Sequence, residues 1–191
     1  MSTPTPARER ILSAATRRFY AEGVRAVSAD RLIADAEVSK VTFYRHFRSK
    51  DDLVVAYLER VAAAERAEVE RHVAAEAPAD VLRWYARFLG ETTCSPGFRG
   101  CPFINAAAEH ADPGHPARVA VDAHRRWLHG QASALVAALG AAEPDALAER
   151  LLMLRDGAMV AGYVGQAPDQ VADALLAAGE AVVRAAIPSA A

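Results

Sequence analysis

The sequence predicts an all-α fold of about nine helices, three short and six mostly longer. Three observations predict it. The chain is rich in alanine and only 7% aromatic, which favours helix. Its apolar residues recur at helical spacing in segments that begin near Pro and end near Gly or Pro. No run alternates with a period of two, and no hairpin signal occurs.

Taken in order, the first helix starts at Thr5-Pro6, with Thr5 as N-cap, carries Ile11, Leu12, Ala15 and Phe19 on one face, and stops at Gly23. Ser28 caps a second, short helix with Leu32, Ile33 and Ala36 on its apolar side. After a break at Glu37-Val38-Ser39, Ser39 caps a third through Phe47. Ser49 and Asp52 have capping-box spacing and open a long helix to about Ala75. Pro78 starts the next, which ends before Ser95-Pro96-Gly97, and Pro102 starts a short one. Pro116, Pro144 and Pro168 stand where the last three long helices begin, the first of them reaching about Gly140.

An apolar fraction of 52% over 191 residues supports a sizeable core. Two cysteines make no disulfide framework, the N-terminus has no apolar signal core, and no stretch is long enough to span a membrane, so a cytoplasmic protein is expected. The net charge of −2 conceals a split: residues 1–50 hold ten Lys/Arg against five Asp/Glu, and residues 51–191 hold twelve against nineteen. Both lysines, Lys40 and Lys50, lie in the first block. Chance variation among solvated faces explains such a split as readily as a basic module on an acidic body.

The third helix sharpens that reading. At 100° per residue, Phe43 and Phe47 share one arc of about 40°, while Arg45 points the opposite way, flanked by Val41 and Thr42. Lys40 and Tyr44 border the apolar arc on one side and His46 on the other. Two phenylalanines thus anchor a helix with a polar, basic outer surface. An ordinary amphipathic surface helix shares that pattern, but a second short helix lying about three residues upstream makes a helix-turn-helix. In that setting Lys and Arg can read guanine edges, and Thr and Val can meet a thymine methyl. Ser28 at a helix start and Lys50 just past the third helix suit phosphate.

Residues 7–53 resemble the TetR family of transcriptional regulators. The specific part is Val38-Ser39-Lys40-x-Thr42-Phe43-Tyr44-x-His46-Phe47-x-Ser49-Lys50-x-x-Leu53. The resemblance implies that Lys40, Val41, Thr42 and Arg45 approach bases, and that Ser28, Tyr44, His46 and Lys50 contact the phosphate backbone. Val41 departs from the family, which often has Gly there. The resemblance also implies a nine-helix, Ω-shaped homodimer with its two readers side by side on a near-palindromic double-stranded operator, half-sites about one helical turn or a multiple apart. Residues 1–49 are then the DNA-binding domain, and residues 50–191 the ligand-sensing and dimerisation domain.

In the body, the last two helices are rich in small and apolar residues: Leu147, Leu151, Leu154, Ala158 and Ala161, then Val171, Leu175, Ala178 and Val182. By resemblance, residues of about 144–186 form the dimer interface. Trp84, Tyr85, Phe88, Phe103, Asn105, His124 and Trp127 are candidates for the lining of an effector pocket, though each is also an ordinary core residue type. The expected function is a ligand-responsive regulator, a repressor released by a small molecule, and not an enzyme. The alternatives are a helical enzyme using the body's His and Cys residues, or an architectural DNA binder with no effector. Cys94 and Cys101 flank a loop that a disulfide could close, but buried free thiols are commonly inert. His110, His115, His124 and His129 with Glu109 and Asp112 match no compact ligand spacing, so no metal and no cofactor is assigned. Nothing in the sequence brings Cys101, His124 and Asp156 together as a triad.

Overall fold

The structure is a computed structural model and describes residues 6–165 and 170–187. Those residues form nine helices and no strand: α1 (Ala7–Glu22), α2 (Ala29–Asp35), α3 (Lys40–His46), α4 (Lys50–Ala75), α5 (Pro78–Thr93), α6 (Pro102–Glu109), α7 (Pro116–Ala138), α8 (Pro144–Val164) and α9 (Val171–Ala186). The three short ones are α2, α3 and α6. Pro78, Pro102, Pro116 and Pro144 each occupy the first helical position, where a missing N–H costs nothing. Pro6 instead stands just before α1, its carbonyl accepting from the amides of Glu9 and Arg10. Thr5 and Pro168, expected to start the first and last helices, lie outside the described residues.

The chain divides into two units, one of Met1–Ala63 with Pro102–Asp122, the other of Ala64–Cys101 with Ala123–Ala191. The first contains α1, α2, α3, the start of α4, α6 and the start of α7. Its core is Ile11, Leu12 and Phe19 of α1, Val24 and Val27 of the following connection, Leu32 of α2, Phe43 and Phe47, then Leu53, Val54, Tyr57 and Leu58 of α4. Phe19 meets Tyr57 edge-on at 5.7 Å. Arg18 of α1 grips both carboxylate oxygens of Asp35 on α2, Nε at 2.5 Å and Nη2 at 3.1 Å. That bidentate bond holds the Asp35 carboxyl below its ordinary value.

In the second unit α5 packs on α8 and α9. The approach of α5 to α9 is close: a Cβ built on Gly90 would sit 2.1 Å from the Cβ of Ala172. Leu128 and Ala132 of α7 cluster with Ala148 and Leu152 of α8, and Tyr85 and Trp127 pack against them. No helix among the described residues is long and apolar enough to cross a membrane.

Candidate functional site

Capping fixes the candidate recognition surface. Ser28 Oγ accepts from the Arg31 amide at 3.3 Å and starts α2; Ser39 Oγ accepts from the Thr42 amide at 3.1 Å and starts α3. Each satisfies an amide that the first helical turn leaves without an internal partner. Phe43 is fully buried and Phe47 is 4% exposed, their rings 6.4 Å apart. Arg8 of α1 covers the Phe47 ring at 5.3 Å. Anchored this way, α3 turns its other side outward: Lys40, Val41, Tyr44 and Arg45 are exposed, and Thr42 and His46 are half-buried. Val41 is 80% exposed, an unusual state for a branched apolar side chain. Lys40 Nζ reaches only a loose 3.5 Å contact with Asp30, both groups being exposed. Thr42 Oγ1 accepts from Ser39 Oγ at 2.9 Å.

Lys50 behaves differently from the other sequence-selected residues. Its ammonium turns back into the unit and donates to the carbonyls of Val24 at 3.0 Å and Val27 at 3.2 Å. The same connection between α1 and α2 is held from its amide side by Glu109, which the sequence offers only as a discarded metal ligand and not in this role. The Glu109 carboxylate, at the end of α6, accepts from Val24 N at 3.0 Å and Arg25 N at 2.6 Å. Gly23 makes room for it, with φ of 90° and an absent Cβ whose place is 2.9 Å from Glu109 Oε1. A cation on the carbonyls and an anion on the amides thus clamp the segment that leads into α2. The 85-residue separation of Glu109 from Val24 left no local signal of the clamp.

The second unit has a cavity of about 350 Å³, partly open to solvent, lined by α5, α7, α8 and α9 with Val69 of α4. Its walls are mostly aliphatic, with Leu82, Leu89, Leu128, Leu135, Leu152 and Leu176 among them. Of the seven pocket candidates, Trp84 and Tyr85 line it; Phe88, His124 and Trp127 are in the same unit but not in its walls. Phe88 stacks on Trp84 at 5.5 Å, and Trp127 packs near His124 at 5.8 Å. Phe103 and Asn105 belong to α6 in the first unit, where Phe103 is a core residue.

Buried charge reaches the cavity through Arg155, which is 6% exposed. Its guanidinium donates to Asp156 at 3.0 Å and to Cys101 Sγ at 3.3 Å, and lies 3.9 Å from Glu65. Glu65 also accepts from the Tyr85 hydroxyl at 2.6 Å and pairs with His124 at 3.2 Å. Burial alone would raise the Glu65 carboxyl, but His124, Arg155 and Tyr85 outweigh it and hold the group below its ordinary value. Burial pushes the Tyr85 hydroxyl strongly upward. Cys101 and Asp156 therefore meet on one arginine, and His124 on its partner Glu65. Cys94 is an exposed free thiol and Cys101 a buried one.

Among the expected interface residues, Leu147, Ala158 and Val171 are buried within the unit itself, and Leu151, Leu154 and Leu175 line the cavity. The apolar stripe left exposed on α8 is Met153, Val160, Tyr163 and Val164.

Residues 11–57 match the model of the bacterial regulatory proteins, tetR family. A TetR-family transcriptional regulator from Streptomyces coelicolor is 43% identical, with 95% of this chain and 96% of that one covered and a TM-score of 0.90. The chain belongs to the TetR family. A TetR-type protein from Streptomyces avermitilis is 27% identical over 95% of this chain and 98% of that one, with a TM-score of 0.86. The reduced form of NemR from Escherichia coli shares the fold at 24% identity, with 92% and 97% covered and a TM-score of 0.81. Comparison with curated proteins finds no match. As a TetR-family member the chain is a DNA-binding transcriptional regulator, and α2 and α3 are its helix-turn-helix.

Proposed function

We propose that this TetR-family chain is a homodimeric repressor that binds a near-palindromic operator in the cytoplasm and leaves it when a small molecule enters the body. The reader is residues 1–49, and residues 50–191 sense and dimerise. One observation carries the reading: α3 is pinned from behind by Phe43 and Phe47 while Lys40, Val41 and Arg45 stand in solvent with little to do for the fold. Lys40 and Arg45 suit guanine edges, and Val41 and Thr42 suit thymine methyls. Ser28, Tyr44 and His46 meet phosphate. Lys50, proposed from the sequence as a fourth phosphate contact, acts chiefly through its grip on the α1–α2 connection.

The exposed stripe of Met153, Val160, Tyr163 and Val164 supports dimerisation through α8, and α9 completes the interface. The cavity supports an apolar effector of drug size. Both α4 and α7 contribute residues to each unit, and a continuous helix resists bending, so an effector that favours one setting of these helices also favours one setting of the readers. The shift it can produce is bounded by its difference in affinity for the two states. The chain works by binding and not by turnover.

Fluorescence anisotropy with DNA from upstream of the chain's own gene tests this, against random DNA across a salt series. Two subunits per site, bound much more tightly than random DNA and released by an apolar compound, is the expected result. Equal, salt-labile binding to every DNA would replace the reading with an architectural one.

A further inference from the structure

Away from the recognition surface and the cavity, three side chains of the first unit have the chemistry of a metal site. Asp51 stands in the first turn of α4, His110 just past α6 and His115 just before α7. One ligand atom from each lies within 4.8 Å of the others. His110 Nδ1 is 2.8 Å from the carbonyl oxygen of Ala106. A carbonyl can only accept, so the ring proton is on Nδ1 and the lone pair of Nε2 is left to bind. A ring oriented through its far nitrogen by a backbone carbonyl is the arrangement that metal-ligating histidines use. The two imidazoles lie face to face, centroids 4.1 Å apart and planes at 28°. His115 Nε2 is 3.5 Å from Asp51 Oδ2. All three groups are half-buried or exposed, so binding desolvates little and water can complete the coordination shell.

We propose that Asp51, His110 and His115 form a binding site for a divalent first-row transition metal ion, which ties the end of α6 to the start of α4. Two imidazole nitrogens and one carboxylate oxygen suit Zn²⁺, Ni²⁺ or Co²⁺ and select against Mg²⁺ and Ca²⁺, which take oxygen ligands. The position gives the ion a mechanical consequence. Asp51 follows Lys50 and His110 follows Glu109, the two residues that clamp the α1–α2 connection. An ion here joins the two helices from which that clamp is built. His115 Nδ1 accepts from Ala117 N at 3.2 Å. A metal on Nε2 moves the ring proton to Nδ1, so loading releases this contact and resets the first turn of α7.

The test uses the full-length protein stripped of metal and titrated with Co²⁺ and Zn²⁺ alone, followed by cobalt absorption and calorimetry. No DNA is involved, so the outcome is independent of the proposed operator. The expected result is one ion per chain, with affinity reduced about tenfold or more in His110→Ala, His115→Ala and Asp51→Asn. His72→Ala, in the other unit, binds like wild type. On the unaltered protein, Zn²⁺ raises the unfolding temperature and Mg²⁺ at the same concentration does not. Absence of stoichiometric binding by wild type, or undiminished binding by the three site variants, overturns the proposal; so does equal stabilisation by Zn²⁺ and Mg²⁺.

Discussion

Replacing Glu109 separates what the clamp contributes from what the recognition surface contributes. The carboxylate accepts two backbone amides, Val24 N at 3.0 Å and Arg25 N at 2.6 Å. A hydrogen bond to a charged group contributes about 1.5–3 kcal/mol net, and a buried donor left without its partner costs about 1–3 kcal/mol. Val24 N is partly buried and carries most of the effect, whereas Arg25 N is exposed and recovers water. Glu109→Ala should therefore cost about 2–4 kcal/mol, and Glu109→Gln, which keeps one acceptor oxygen, roughly half of that. In a chain of this size each kcal/mol lowers the unfolding temperature by roughly 2–4 °C. Circular dichroism melts would read the loss, and anisotropy would read its effect on DNA. Affinity should fall with the slope against salt unchanged, because no phosphate contact is removed. If both variants melt within about 0.5 kcal/mol of wild type, the clamp is ornamental and the reasoning fails.

Arg45→Ala should cost about 1–3 kcal/mol on the specific site and relax base preference there, with no change in melting because the side chain is exposed; binding measured on a panel of single-base operator variants checks it. Gly90→Ala drives a methyl to within 2.1 Å of Ala172 Cβ, so it should destabilise by about 1–3 kcal/mol in denaturant melts. Adding Ala172→Gly should recover part of the loss. Glu65→Gln removes a partner of buried Arg155, and the cost should be about 3 kcal/mol because Asp156 still pairs with that arginine. The folded Glu65 carboxyl is held low, so its stabilisation is present above the ordinary carboxylate value of about 4.3 and lost as pH falls through the lowered one. Melts of wild type and variant should accordingly converge in acid.

The readable parts of this molecule were those governed by neighbours in the chain. Pro78, Pro102, Pro116 and Pro144 mark helix starts because a residue without an N–H is tolerated there and hardly elsewhere. Ser49 and Asp52 cap each other's amides, at 3.2 and 3.0 Å, within three residues. Phe43 and Phe47 follow from helical periodicity alone. The direction taken by Lys50 did not, since a flexible stem next to a predicted phosphate site points equally well to solvent or to the carbonyls of Val24 and Val27. Asp51 was invisible as a companion of His110 and His115 because about sixty residues separate them and spacing rules reach only a few. Leu147 and Val171 had the composition of an interface, yet they are buried in their own unit, while the exposed stripe on α8 comes from Met153 and Val160. Periodicity gives a face, and only tertiary packing says which face turns inward.

The division of labour on α3 has an evolutionary consequence. The side chains that hold the helix in place, Phe43 and Phe47 with Tyr44 edge-on against Phe43 at 5.2 Å, are distinct from a freely solvated set, Lys40, Val41 and Arg45. Exchanging the free set costs the fold little, because surface substitutions away from caps and cores typically change stability by no more than about 0.5 kcal/mol. A duplicated copy of such a gene can thus drift to a new target sequence without first losing its shape, and one scaffold can give rise to many regulators with different addresses.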